Sequence, residues 1–158
     1  MTESTPRVFA SVDEVVAAAG LQLGPSEPLK IDQQRVDGFA EVTDDHQWIH
    51  VDVERSADGP WGGTIAHGFL TLSLVPRFAR LLYRFEFGGA RLNYGLDKVR
   101  FPAPVPTGSV LRASATIGSV RPNPAGTIIT TNVVITVEGA GKPSCIADLL
   151  VLVTQGER

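Results

Sequence analysis

The chain has 158 residues, of which 43% are hydrophobic and 20% charged, a composition typical of one globular domain large enough to bury a core. Its formal net charge is −3 with no basic block, which argues against a nucleic-acid-binding protein. The single cysteine, Cys145, cannot form an intrachain disulfide and is predicted to be a small core residue. We therefore predict one domain over residues 1–158.

Neither a signal peptide nor a membrane span is predicted. Residues 1–7 contain no long apolar run after a basic start. The longest apolar stretch, residues 69–82, contains a proline and two arginines and is too short and too charged to cross a bilayer. The expected protein is soluble and cytoplasmic.

Two helices are predicted in the first third of the chain. Ser11 is a natural N-cap, with Glu14 at the capping-box position and Gly20 able to end the helix. After a short predicted strand, residues 33–42 carry a weaker helical face. This second helix leads into residues 43–52, where acids and imidazoles are concentrated.

The most apolar helix of the chain is predicted to begin at His67 and Gly68. Gly63 allows the backbone to bend sharply just before it. Apolar residues cover most of the helix circumference as far as Leu82, so we expect other elements to enclose it. Pro76 is predicted to kink this helix, because a proline inside a helix removes one hydrogen bond.

The second half of the chain has the pattern of an antiparallel sheet. A long strand with one irregularity is predicted over residues 91–101, followed by a proline-rich turn at 102–108. Strands at 110–120, 127–137 and 145–153 are predicted to form an antiparallel meander, with a break at its first connection. This order predicts an α+β fold in which the sheet wraps around the apolar helix. The edge strand that such a sheet leaves is commonly paired across a dimer.

Asp45 and His50 are the candidate acid/base pair. A carboxylate and an imidazole that both hydrogen-bond one water can deprotonate it and return the proton elsewhere. Histidine has a pKa near neutrality unperturbed, and a desolvated aspartate can approach that value. Spacing alone nevertheless favours a structural interpretation, in which Asp44 or Asp45 caps a short helix and His50 is a loop residue.

Gly68 is a candidate for stabilising negative charge. The first N–H groups of a helix have no partner inside it and carry partial positive charge. A glycine there lets an enolate oxygen approach the backbone as in an oxyanion hole. The residues support equally well a packing role, in which Gly68 avoids a clash where the buried helix starts. His67 is expected to orient a loop rather than to do chemistry.

Three segments of the chain carry motifs that occur together in one enzyme family. Residues 39–50 end in Asp-Asp-His-Gln-Trp-Ile-His, residues 65–70 read Ile-Ala-His-Gly-Phe-Leu, and residues 99–108 contain Phe-Pro-Ala-Pro-Val-Pro. In this order they resemble the signature, the helix entry and the following strand and turn of the (R)-specific enoyl-CoA hydratases, the MaoC-like or hydratase-2 family. The resemblance extends over about residues 8–153.

This resemblance implies a MaoC-like hot-dog domain, in which a curved antiparallel sheet wraps a central helix, and a homodimer. It implies reversible hydration of trans-2-enoyl-CoA to (3R)-3-hydroxyacyl-CoA. By position, Asp45 and His50 would hold the attacking water, and the Gly68 N–H would polarise the thioester carbonyl. Neither a metal nor a separate cofactor is expected, since CoA is part of the acyl-thioester substrate.

The chain departs from the family signature at three positions, where Asp44 replaces Gly, Gln47 replaces Asn and Trp48 replaces Pro. Gln47 still offers an amide to the substrate, from a longer arm. Asp44 adds a carboxylate beside Asp45, which can raise a pKa. Since both catalytic positions are intact, the sequence favours a hydratase over two alternatives, a hot-dog acyl-CoA thioesterase and a non-catalytic acyl-CoA-binding subunit.

Overall fold

The computed structural model describes residues 5–156. Residues 1–4 and 157–158 lie outside that range, so the signal-peptide prediction for residues 1–7 falls largely outside the described residues. Among the described residues, none of the helices has the length and apolar character needed to span a membrane.

Short helices and long strands form the predicted α+β architecture, with an antiparallel sheet curved around a central helical segment. The helices are α1 (Val12–Ala17), α2 (Gln33–Thr43), α3 (Trp48–Val51), α4 (Val53–Ala57), α5 (Gly68–Ser73) and α6 (Val75–Leu82). The strands are β1 (Arg7–Phe9), β2 (Gln22–Leu23), β3 (Leu29–Lys30), β4 (Tyr83–Phe85), β5 (Arg91–Arg100), β6 (Val110–Asn123), β7 (Gly126–Val137) and β8 (Pro143–Thr154).

The main sheet has the strand order β2-β6-β7-β8-β5, with β3 also paired to β6. The predicted meander is confirmed, because β6, β7 and β8 pair antiparallel along most of their lengths. Alternate residues of these strands face the core, and Cys145 at the start of β8 is fully buried as predicted. β5 then pairs antiparallel with β8 and forms one edge of the sheet.

The connection between the first two strands of the meander is shorter than the predicted break between residues 120 and 127. β6 continues to Asn123 and turns at once into β7, so that Pro122 lies inside a strand. The short strands β2 and β3 pair only with residues 110–116 of β6. Ile117 also forms backbone hydrogen bonds with Gly20 and Leu21. Beyond Ile117, no residue in the range 5–156 pairs with the second edge of β6, so a proline there removes no ladder hydrogen bond.

The central helix is divided where a single kinked helix was predicted. α5 and α6 meet at Leu74, and Pro76 lies in the first turn of α6, where its missing N–H costs nothing. The sequence also predicted that other elements enclose this helical segment. That prediction is wrong, because Phe69 and Arg80 are exposed. α6 instead buries one stripe at helical spacing, formed by Val75, Phe78, Ala79 and Leu82.

β5 has two irregularities where one was predicted. Its register with β8 shifts between Asn93 and Gly95 and again between Asp97 and Arg100. Its apolar side chains Leu92, Tyr94 and Leu96 remain exposed, with 52% of Tyr94 accessible to solvent. The fold therefore leaves an apolar edge strand, as the sequence predicts.

Candidate active site

A left-handed turn after α2 positions the candidate acid/base loop. Asp44 ends the helix with φ 57°, a conformation that glycine adopts freely and aspartate tolerates. The chain then reverses into α3, and the Ile65 N–H donates to the Ile49 carbonyl at 3.0 Å. The loop that carries Asp45 and the helix α3 that carries His50 are thereby fixed beside the residues that lead into α5.

His50 is buried, with 6% of its surface exposed, and its tautomer follows from one contact. Its Nδ1 lies 2.6 Å from the backbone carbonyl oxygen of Ile65. Because a carbonyl only accepts hydrogen bonds, Nδ1 carries the proton and Nε2 of the neutral ring carries the lone pair. The neutral ring can therefore accept a proton at Nε2.

His67 lies directly against this imidazole. The two rings are stacked, with centroids 3.7 Å apart and planes 25° apart. His67 Nε2 donates to the backbone carbonyl of Asp45 at 2.9 Å. Its Nδ1 is buried and has no hydrogen-bond partner among residues 5–156. These contacts agree with the predicted role of His67 in orienting the loop.

Asp45 is exposed at the mouth of the site. One of its carboxylate oxygens, one ring nitrogen of His50 and one of His67 lie within 4.8 Å of one another. A water about 2.8 Å from each partner can bridge groups at that separation. The structure therefore brings Asp45 and His50 together, within a distance that one bridging water can span.

The same three side chains offer a set of donor atoms that a divalent metal such as zinc accepts. However, imidazole lone pairs lie in the plane of the ring. In a stacked pair with planes 25° apart, they run side by side instead of converging on one ion. The arrangement of Asp45, His50 and His67 thus suits proton transfer better than metal coordination.

Burial lowers the pKa of His50 below its usual value of 6.5, and the neighbouring His67 lowers it further. The hydrogen bond to Ile65 and the charge of Asp45 act in the opposite direction but do not reverse the shift. His50 is therefore neutral at pH 7, the form in which Nε2 accepts a proton.

This lowered pKa predicts a pH dependence of folding. Below about pH 6.5, His50 becomes protonated in the unfolded chain but stays neutral in the folded chain until the pH reaches its lower folded pKa. The free energy of unfolding should therefore fall as the pH drops from 6.5 towards the folded pKa. Denaturant unfolding at about pH 7.5 and about pH 5.5 tests this, with a smaller loss expected for His50→Gln. An equal loss in both proteins contradicts it.

Gly68 is the first residue of α5, with His67 as the N-cap. A Cβ built on Gly68 would lie 3.2 Å from the ring of Phe101, tighter than ordinary van der Waals contact. Packing thus favours a small residue here, and the same small residue leaves the amide open to a ligand. Both interpretations of Gly68 remain compatible with the geometry.

Gln47 directly precedes α3 and is exposed. Its backbone carbonyl accepts from the His50 N–H at 2.9 Å, whereas its side chain makes no capping hydrogen bond. Trp48 begins α3, and its ring lies under the guanidinium of Arg55 at 4.2 Å. Gln47 therefore supports α3 through its backbone carbonyl, and Trp48 supports it through the contact of its ring with Arg55.

A hydrogen-bond network that supports the position of His50 was not predicted from the sequence. Gln33 Nε2 donates to the His50 carbonyl at 2.8 Å, and the Thr64 hydroxyl donates to Gln33 Oε1 at 2.6 Å. Thr107 Oγ1 lies 2.9 Å from the Thr64 hydroxyl and extends the network to the turn before β6. Gln33, Thr64 and Thr107 are far apart in sequence, and only Thr107 lies within a motif segment, so only the fold reveals their association.

Comparison with known proteins shows which family combines this fold with this site. The sequence profile described as "MaoC like domain" matches residues 14–138. The chain is 49% identical over 146 residues to 3-hydroxyacyl-thioester dehydratase Z from Mycobacterium tuberculosis, covering 92% of this chain and 97% of that protein. It is 40% identical to Nodulation protein N from Rhizobium leguminosarum bv. viciae, covering 90% of this chain and 91% of that protein.

Among solved structures, the R-hydratase PhaJ1 from Pseudomonas aeruginosa in the unliganded form has a TM-score of 0.68 at 21% identity. The match covers 88% of this chain and 83% of that chain, and at this identity it shows the fold alone. The predicted hot-dog fold is confirmed. Together with the profile and the M. tuberculosis relative, these findings show that the chain belongs to the MaoC-like dehydratase family.

Proposed function

We propose that this protein catalyses the reversible hydration of a trans-2-enoyl-CoA to a (3R)-3-hydroxyacyl-CoA. One observation carries the proposal: the Asp45 carboxylate lies within 4.8 Å of a ring nitrogen of His50, and the His50 ring is held in one tautomer by the Ile65 carbonyl. The 49% identity to a 3-hydroxyacyl-thioester dehydratase supports this class of reaction.

In this mechanism, the water between Asp45 and His50 attacks C3 of the enoyl thioester. Its O–H bond breaks as the new C–O bond forms, and the proton passes to one member of the pair, with His50 Nε2 the better placed acceptor. The electron pair of the double bond moves towards the thioester oxygen. The proton that the pair has taken from the water is then delivered to C2, which completes the addition of one water and returns Asp45 and His50 to their starting forms.

Gly68 and Gln47 are assigned to substrate binding. The backbone N–H of Gly68 donates to the thioester oxygen, which becomes more negative as the enolate forms. Gln47, exposed beside the pair, offers its amide to the thioester portion of the substrate. His67 is a positioning residue, because it holds the Asp45 carbonyl and packs on the His50 ring.

An assay with crotonyl-CoA distinguishes this activity from its two alternatives. Loss of the enoyl absorbance without release of free thiol is the expected result for a hydratase. Release of free thiol would instead identify a thioesterase, in which water attacks the carbonyl carbon. Saturable binding with neither change would identify a non-catalytic acyl-CoA-binding subunit.

We also propose that the protein forms a homodimer through β5. The exposed residues Leu92, Tyr94 and Leu96 lie on an edge strand whose outer side has no strand partner within residues 5–156 and can therefore pair with another chain. A second copy of β5 can satisfy those groups and bury the apolar side chains.

Sedimentation tests the proposed dimer. The wild-type protein should have a dimer mass at micromolar concentration, and a Leu92→Lys/Leu96→Lys variant should shift towards monomer because it places charge on the edge strand. Val42→Lys, which adds a like charge at an exposed apolar position on α2, serves as the control and should leave the mass unchanged. A monomeric wild-type protein would rule out the assembly.

A further inference from the structure

A cavity of about 860 Å³ lies along α6. It extends over β4 and the start of β5, and Leu149 and Val151 of β8 contribute apolar side chains to its lining. Ala79 and Leu81 of α6 add further apolar surface. The cavity therefore has the size and the apolar lining to hold a small ligand.

Four arginines also line this cavity. Arg91 is occupied, because its guanidinium donates to the backbone carbonyls of Phe85 and Phe87. Arg77, Arg80 and Arg84 form no ion pair or side-chain hydrogen bond with any residue in the described range 5–156. The only acid among the lining residues of that range is Glu86, so the cavity carries excess positive charge.

Arg77 is the arginine whose position demands a partner. Its guanidinium carbon lies 5.4 Å from the ring centroid of the buried Phe78, and its Nη1 is buried without a hydrogen-bond partner within residues 5–156. A buried donor left unsatisfied is costly, and most such groups in folded proteins have a partner. The planar guanidinium fork matches the two oxygens of a carboxylate.

The cavity and the helix that begins at Gly68 lie on one side of the sheet. Leu70 of α5 belongs to the same buried cluster as Leu149 and Val151 of β8, which line the cavity. Arg77 follows Gly68 by nine residues, which corresponds to at most about 14 Å along the two consecutive helices. A medium-length acyl chain spans such a distance when its thioester lies at Gly68.

We propose that this cavity binds the acyl tail of the substrate and that Arg77 recognises a carboxylate at the end of that tail. The substrate class is then an enoyl thioester with a terminal carboxylate, in preference to one that ends in a methyl group. This inference rests on the proposed hydratase activity and adds its acyl specificity.

Two enoyl-CoA substrates of equal medium length, one ending in a carboxylate and one in a methyl group, test the proposal. The wild-type protein should hydrate the carboxylate-ended substrate with the higher kcat/KM, and equal values for the two would contradict the proposed preference. Arg77→Met should lower the ratio of the two kcat/KM values by about 10- to 100-fold, the effect of one charge-assisted hydrogen bond or more. Arg77→Lys should lie between them, because lysine keeps the charge without the planar fork.

Arg35→Met is the matched control, since Arg35 is an exposed arginine on α2 and does not line the cavity. It should leave the ratio unchanged. Thermal melting should show that the Arg77 variants remain folded, because methionine fills a similar volume without burying a charge.

Three results would overturn the assignment of Arg77. An unchanged substrate ratio in Arg77→Met would show that it does not contact the acyl terminus. An equal loss on both substrates would assign it to the CoA phosphates, which the two substrates share. A change from dimer to monomer in Arg77→Met would assign it to a partner subunit. Failure of the wild-type protein to hydrate either substrate would instead contradict the proposed function.

Discussion

Replacing Asp45 by Asn, or His50 by Gln, is expected to lower kcat by about two to four orders of magnitude, the contribution of a positioned general acid or base. Asparagine in place of Asp45 retains the shape of the side chain but not its charge. Glutamine in place of His50 can still donate to the Ile65 carbonyl, which now accepts from His50 Nδ1, but it cannot accept a proton at neutral pH. The double variant should be little slower than either single variant, because both residues act on one water.

Asp44→Asn is the matched control for Asp45→Asn, since it removes a carboxylate from the adjacent residue. Asp44 is exposed and adopts the left-handed conformation, which asparagine also tolerates. Activity and melting temperature should both remain close to wild type. If Asp45→Asn or His50→Gln kept more than about a tenth of the activity, the assignment of the pair would be wrong.

Gly68→Val is expected to reduce kcat by about a hundred-fold, the effect of a misplacement of about 1 Å at a reacting centre. The backbone N–H remains in this variant, so the loss would arise because the side chain occupies the space needed by the thioester. Circular dichroism and a melting curve establish whether the variant is folded. A folded Gly68→Val protein with full activity would show that Gly68 is only a packing residue.

Phe101 provides a way to separate packing from catalysis at Gly68. The ring of Phe101 is the group that a Cβ at position 68 would contact, at 3.2 Å. In a Gly68→Ala/Phe101→Ala variant this contact is relieved, so lost stability should be recovered relative to Gly68→Ala alone. Activity should remain low if the thioester needs the space. Recovery of both quantities would favour the packing interpretation.

The proximity of Asp45 and His50 was predictable from the sequence, whereas the contacts that hold them in place were not. Asp45 and His50 follow from a local motif, because five residues and one turn suffice to bring them together. The stack of His50 on His67 depends on how the loop meets α5. Gln33 reaches the same loop from the start of α2. Such contacts are long-range, and no local pattern encodes them.

Two incorrect predictions in the fold have specific physical causes. Pro122 suggested a break, but the strand continues because no other strand of residues 5–156 pairs with the second edge of β6 at that point. Pro76 suggested a kink within one helix, but it begins a new helix after Leu74. Asp44, by contrast, has a clear structural explanation: it occupies a left-handed position at the end of α2, where the family signature has glycine.

The stereochemistry of the reverse reaction tests the central claim most directly. The wild-type protein is incubated separately with (3R)- and (3S)-3-hydroxybutyryl-CoA, and formation of the enoyl absorbance is followed. A rigid Asp45/His50 pair can remove water from only one face of the substrate, so the account predicts dehydration of the (3R) substrate alone, abolished in Asp45→Asn. Dehydration of the (3S) substrate, or of neither, would contradict it.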